Sequence, residues 1–63
     1  MVTQTTAILA HLRRGESITP FGALRLFQCL RLGARIHELR ERGFCIKRTM
    51  VRIRGKRVAR YWL

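Results

Sequence analysis

The sequence predicts an α+β domain in which three helices are followed by a two-stranded β-hairpin, on the strength of three observations. Up to Gly43 apolar residues recur at three- and four-residue spacing, the period of helices that bury one stripe. From Phe44 onward the period falls to two, with apolar residues alternating with basic ones, as in strands that pack one face and present the other. Gly55 stands inside that alternation, where a glycine supplies the positive φ of a tight turn. With 63 residues in all, positions 1–63 make one domain with one small core, and nearly every apolar side chain is needed to fill it. Little remains for a catalytic cavity.

The first helix is expected from Thr3 or Thr5 to Arg14, with Ile8, Leu9 and Leu12 on one stripe, a threonine at the start as cap and Gly15 at the C-terminal cap. Arg13 and Arg14 fall in its last turn, where each favours the helix dipole by about 0.3–1 kcal/mol. The run Ser17-Ile18-Thr19-Pro20 marks the second start. Thr19 is the cap and Pro20 the first helical residue, where a missing amide donor costs nothing. This helix runs to Phe27, with Phe21, Leu24 and either Leu26 or Phe27 as its apolar side, and Gly22 and Ala23 permit close approach to a neighbour. Ile18 is expected in a short extended segment that pairs with the later hairpin.

At Gln28-Cys29 the apolar phase breaks, and a third helix is expected from Leu30 to Arg42, ended by Gly43. Leu32, Ile36 and Leu39 form its buried stripe. A rotation of about 100° per residue turns Arg31, Ala34, Glu38 and Glu41 away from that stripe and leaves Arg35 on its flank. Glu38 is spaced to pair with Arg42, and Gly33, a weak helix former, marks close packing or an irregularity. The hairpin spans Phe44 to Trp62, turning at Arg54-Gly55 or Gly55-Lys56. Val51 and Ile53 share one face, and Arg52 and Arg54 the other. The register is not determined, and Trp62 and Leu63 are expected to close the core against the first helix.

Charge indicates the partner. Fourteen basic and three acidic residues give a net charge of +11, and seven of the basic ones fall among the last twenty residues, where there is no acid. Such a surface self-repels when free and is relieved by phosphate. The hydrophobic fraction of 48% excludes a disordered polyelectrolyte. No apolar run approaches a membrane span, and Met-Val-Thr-Gln-Thr-Thr lacks the features of a signal peptide, so the bacterial cytoplasm is the expected location. Cys29 and Cys45 lack metal or redox spacing, and His11 and His37 have no ligand-spaced partners. Without an aspartate, a close carboxylate pair or a Gly-rich phosphate loop, neither an enzyme nor a cofactor or metal site is expected.

A bracing helix followed by one with basic residues near its start suits entry into a DNA major groove. Arg31 and Arg35 are the candidates for base edges, with Ala34 beside them and Gln28 and Thr19 as phosphate ligands at helix starts. Around the hairpin turn Arg52, Arg54, Lys56 and Arg57 can follow phosphates or enter a minor groove, and Lys47 and Arg48 extend that patch. The aromatic residues Phe21, Phe27, Phe44, Tyr61 and Trp62 are assigned to the core, which leaves no stacking platform for RNA.

The stretch Ser17-Ile18-Thr19-Pro20, then Ala23-Leu24, then Cys29-Leu30-Arg31-Leu32-Gly33-Ala34-Arg35-Ile36-His37-Glu38-Leu39-Arg40-Glu41-Arg42-Gly43-Phe44 resembles a small winged helix-turn-helix family of phage and prophage proteins. Gly55-Lys56-Arg57-Val58-Ala59-Arg60-Tyr61 is similar to the return strand of its wing, and the likeness covers Thr3 to the end. The resemblance implies binding of double-stranded DNA, in transcriptional control or as an architectural factor in recombination. A single small recognition helix reads few base pairs, so a dimer or a cooperative array on DNA is expected. The alternative is a phage-encoded interaction module that docks on a host protein or ribonucleoprotein.

Overall fold

Local hydrogen bonding sets where each helix begins and stops. The computed structural model describes residues 3–63, and its helices are α1 (Gln4–Arg13), α2 (Pro20–Phe27) and α3 (Leu32–Glu41). Thr3 and Thr19 adopt extended backbone and accept, through their hydroxyls, the amides of Thr6 and Gly22, each at 3.1 Å. Each cap contributes about 1 kcal/mol. At the end of α3, Gly43 with φ +99° lets its own amide reach Arg40 O at 3.0 Å and the Phe44 amide reach Leu39 O at 3.2 Å. That is the Schellman arrangement, and it also turns Phe44 back onto the core.

Two boundaries differ from the sequence expectation. The third helix starts at Leu32 instead of Leu30, because Gln28 takes a left-handed conformation (φ 52°, ψ 35°) that ends α2 and Arg31 stands outside α3 as its cap residue. The hairpin begins at Lys47 instead of Phe44, since Phe44 belongs to the helix stop and Ile46 donates back to its carbonyl at 3.1 Å. Gly33 has open space where a Cβ would sit, so neither close packing nor an unusual φ explains it.

β1 (Lys47–Ile53) and β2 (Lys56–Trp62) pair antiparallel with Val51 opposite Val58 and Ile53 opposite Lys56. Arg54 (φ 52°) and Gly55 (φ 78°) both take positive φ, the requirement of a type I′ turn whose twist matches the strands. Ile18 adds a one-residue bridge to Tyr61, with N–H···O distances of 2.9 and 2.8 Å, so the expected extended segment is present.

The core gathers Ile8 and Leu12 of α1, Ile18, Ala23 of α2, Cys29, the α3 stripe Leu32, Ile36 and Leu39, then Ile46 and Tyr61. Alternation along β2 puts Ala59 and Tyr61 on the core side, so Tyr61 closes it. Trp62, expected in that role, points the other way under the Arg60 guanidinium at 5.8 Å, and Leu63 is exposed. His11 is a packed residue: its Nε2 donates to Ser17 O at 2.9 Å, Nδ1 lies 3.3 Å from Glu16, and its ring meets Phe27 edge-on.

The apolar side of α2 is narrower than its sequence suggests. Ala23 is buried and Phe27 half-buried, but Phe21 and Leu26 are each 61% exposed and Leu24 is exposed as well. An eight-residue helix with apolar residues all around can turn only one stripe toward α1 and β2. The assignment of Phe21 to the core is therefore corrected.

Candidate nucleic-acid interface

On α3 the basic residues separate into two kinds. Arg40 donates through Nε and Nη2 to Ile46 O at 3.2 and 2.9 Å, tying the helix to the chain that enters β1. Arg35 lies on the opposite flank, where its Nη1 is 3.3 Å from Glu38 Oε1. The other Glu38 oxygen accepts from the buried Thr5 hydroxyl of α1 at 2.8 Å. Glu38 thus faces Arg35 and not Arg42, because Thr5 holds its carboxylate on the α1 side. His37, on the outward face, pairs with Glu41 at 2.6 Å. Arg31 precedes the helix, is exposed, and has no ion-pair partner among the described residues. Beside it Leu30 is 83% exposed, and Ala34 is half-buried on the helix flank that follows.

The hairpin contrasts with this. Arg52, Arg54, Lys56 and Arg57 are all exposed around the turn, and none has an ion-pair partner among the described residues. Arg52 and Arg57 stand directly opposite each other across the ladder, a like-charge pair that destabilises the free hairpin. Lys47 and Arg48 are exposed too, but at the other end of β1, about 20 Å away at strand rise.

A family model described as a winged helix-turn-helix domain matches residues 3–63. The chain belongs to the winged helix-turn-helix family. No curated protein and no solved structure matches it. In this winged helix-turn-helix α2 and α3 form the helix-turn-helix, and β1 and β2 are the wing.

Within the domain the expected site residues fall into separate places. Arg52, Arg54, Lys56 and Arg57 come together at the wing tip, Arg31 and Ala34 at the start of α3, and Lys47 and Arg48 at the wing base. Gln28 closes α2 instead of opening α3. Its carbonyl accepts from Gln4 Nε2 at 3.2 Å, which ties the turn to α1. Thr19 uses its hydroxyl oxygen to cap α2. Arg25, which the sequence does not single out, is the sole charged residue of α2 and meets Phe21, Ile53 and Arg54 along a groove of about 330 Å³. Its one signal in the sequence is its setting, an arginine inside an apolar bracing helix with no carboxylate at pairing distance. Among the described residues no helix is long and apolar enough to cross a membrane, and no three His, Cys or acidic side chains converge as metal ligands would.

Proposed function

We propose that this winged helix-turn-helix binds double-stranded DNA, with the start of α3 in the major groove and the wing on the adjacent backbone or in the minor groove. A small phage-type transcriptional regulator or recombination factor is the role in keeping with that reading. The observation that carries it is the partitioning of charge. Arg35 and Arg40 have partners inside the protein, whereas Arg31 and the four basic residues of the wing tip have no ion-pair partner among the described residues. Cations left unpaired on a chain of net charge +11 are supplied with counterions by a polyphosphate. Binding is carried by an open surface and involves no catalytic step.

Fluorescence anisotropy of a labelled duplex of random sequence across a salt series tests the proposal. Affinity should fall linearly with salt on logarithmic axes, by about 0.9 per phosphate neutralised. No association at the lowest salt sinks the proposal. One recognition helix reads few base pairs, so sites selected from a random library should hold repeated half-sites about 10 base pairs apart, filled cooperatively. A selected site that footprints as an isolated monomer would leave only single-domain binding.

A further inference from the structure

The groove between α2 and the wing tip has two guanidinium walls and an apolar floor. Arg25 comes from α2 and Arg54 from the turn, while Phe21 and Ile53, both exposed, lie between them. No acidic residue lines it. On a chain this small an exposed phenylalanine opposite an exposed isoleucine is not explained by packing. The buried stripe of α2 is centred on Ala23, and Phe21 is not part of the core.

We infer that this groove seats the sugar-phosphate backbone of one DNA strand, gripped by Arg25 and Arg54 and resting on Phe21 and Ile53. The inference rests on the DNA-binding reading and adds to it a second wall, on α2, opposite the wing. A nucleic-acid strand matches both halves of the lining: its phosphates are spaced along an edge of deoxyribose carbon and hydrogen, so anionic and apolar surfaces alternate. Lys56 stands directly opposite Ile53 on the same face of the ladder, so a strand lying in the groove meets a further cation of the wing tip. An acidic apolar protein segment has similar surface chemistry, and beyond Phe21 the groove adjoins an apolar hollow lined by Pro20, Leu24, Cys29 and Leu30, which holds no cation for it; the unpaired cations lie toward the wing tip, which favours a polyanion. With a strand held between α2 and the wing, the wing is positioned relative to the recognition helix by the DNA as well as by the Ile18 to Tyr61 bridge.

The test uses the full chain and a random duplex. Arg25→Ala should make the logarithmic salt slope shallower by about 0.9, the same change as Arg54→Asn, which preserves the left-handed turn conformation. Arg13→Ala removes one charge from the end of α1, outside the groove, and should leave the slope unchanged. p-Benzoylphenylalanine placed at Phe21 should crosslink to DNA on irradiation, while the same group at Leu26, which is equally exposed at 61% but outside the groove, should not. If the parent binds DNA but Arg25→Ala matches Arg13→Ala, the groove is not a backbone seat and DNA binding itself stands. Crosslinking at Phe21 to protein and never to DNA overturns the inference in the same way. If the parent fails to bind DNA, the proposed function fails first.

Discussion

The third helix carries two arginines and the wing seven basic residues, and the two elements use them differently. On α3, Arg35 is held by Glu38 and through it by Thr5 of α1, and Arg40 is spent on the Ile46 carbonyl. On the wing, four cations crowd one turn with no ion-pair partner among the described residues, and two of them face each other across the ladder. The arginines of the helix are therefore engaged within the protein, and those of the wing tip are left for an outside partner, DNA in the function proposed. An arginine count alone does not say which side chains are engaged. The partner of each arginine does.

The contrast is tested most severely by striking the core beneath the helix. Leu39→Ala deletes a fully buried side chain of the α3 stripe and should cost about 2–5 kcal/mol, enough to unfold so small a domain in a thermal melt followed by circular dichroism. Loss of DNA binding in that variant would reflect the fold alone. At the wing, Arg54→Asn combined with Lys56→Ala should leave the melting temperature within a few degrees of the parent and make the salt slope of DNA binding shallower by up to about 2. A slope matching the parent would make the tip a solvated loop.

Around the start of α3, Arg31 and Arg35 should part company. Arg31→Ala removes an exposed side chain with no ion-pair partner among the described residues and should reduce discrimination between selected and random DNA by about 1–3 kcal/mol if Arg31 reads a base. Arg35→Ala breaks the partly exposed pair with Glu38, worth under about 1 kcal/mol of stability, and should change discrimination less because its guanidinium is already engaged. Equal loss from both would mean that DNA draws Arg35 away from Glu38. The smallest effect concerns the free wing. Screening should relieve the Arg52 and Arg57 repulsion, so the free protein should melt at a higher temperature as sodium chloride rises, by an amount that shrinks in Arg57→Thr.

Part of this organisation is legible in the amino-acid order. Thr19-Pro20, Gly15 and Gly43 are local signals, because a cap or a helix stop depends on a few neighbouring backbone groups, and each falls where expected. The turn at Gly55 and the bridge from Ile18 belong to the same kind. Among the candidate site residues, the grouping of Arg52, Arg54, Lys56 and Arg57 is legible because hairpin neighbours in sequence are neighbours in space. The partner of Glu38 is not. Spacing along the helix offers Arg35 and Arg42 almost equally, and the choice is made by Thr5, thirty-three positions away. Arg25 escapes a sequence reading for the same reason, since what makes it part of a groove is the return of the wing tip to α2.

Periodicity and composition are enough to set the order of elements, their caps, the buried stripe of α3 and the excess of positive charge. The choice of Tyr61 over Trp62 for the core is a tertiary matter, because one residue of strand phase, set where Ile18 pairs, exchanges the two faces of β2. The exposure of Phe21 is another, because a helix with apolar residues on every side buries the stripe its neighbours reach. So is the division of the arginines into engaged and unpaired, because an ion pair forms between groups that folding brings within a few ångströms, and chain order does not encode that distance.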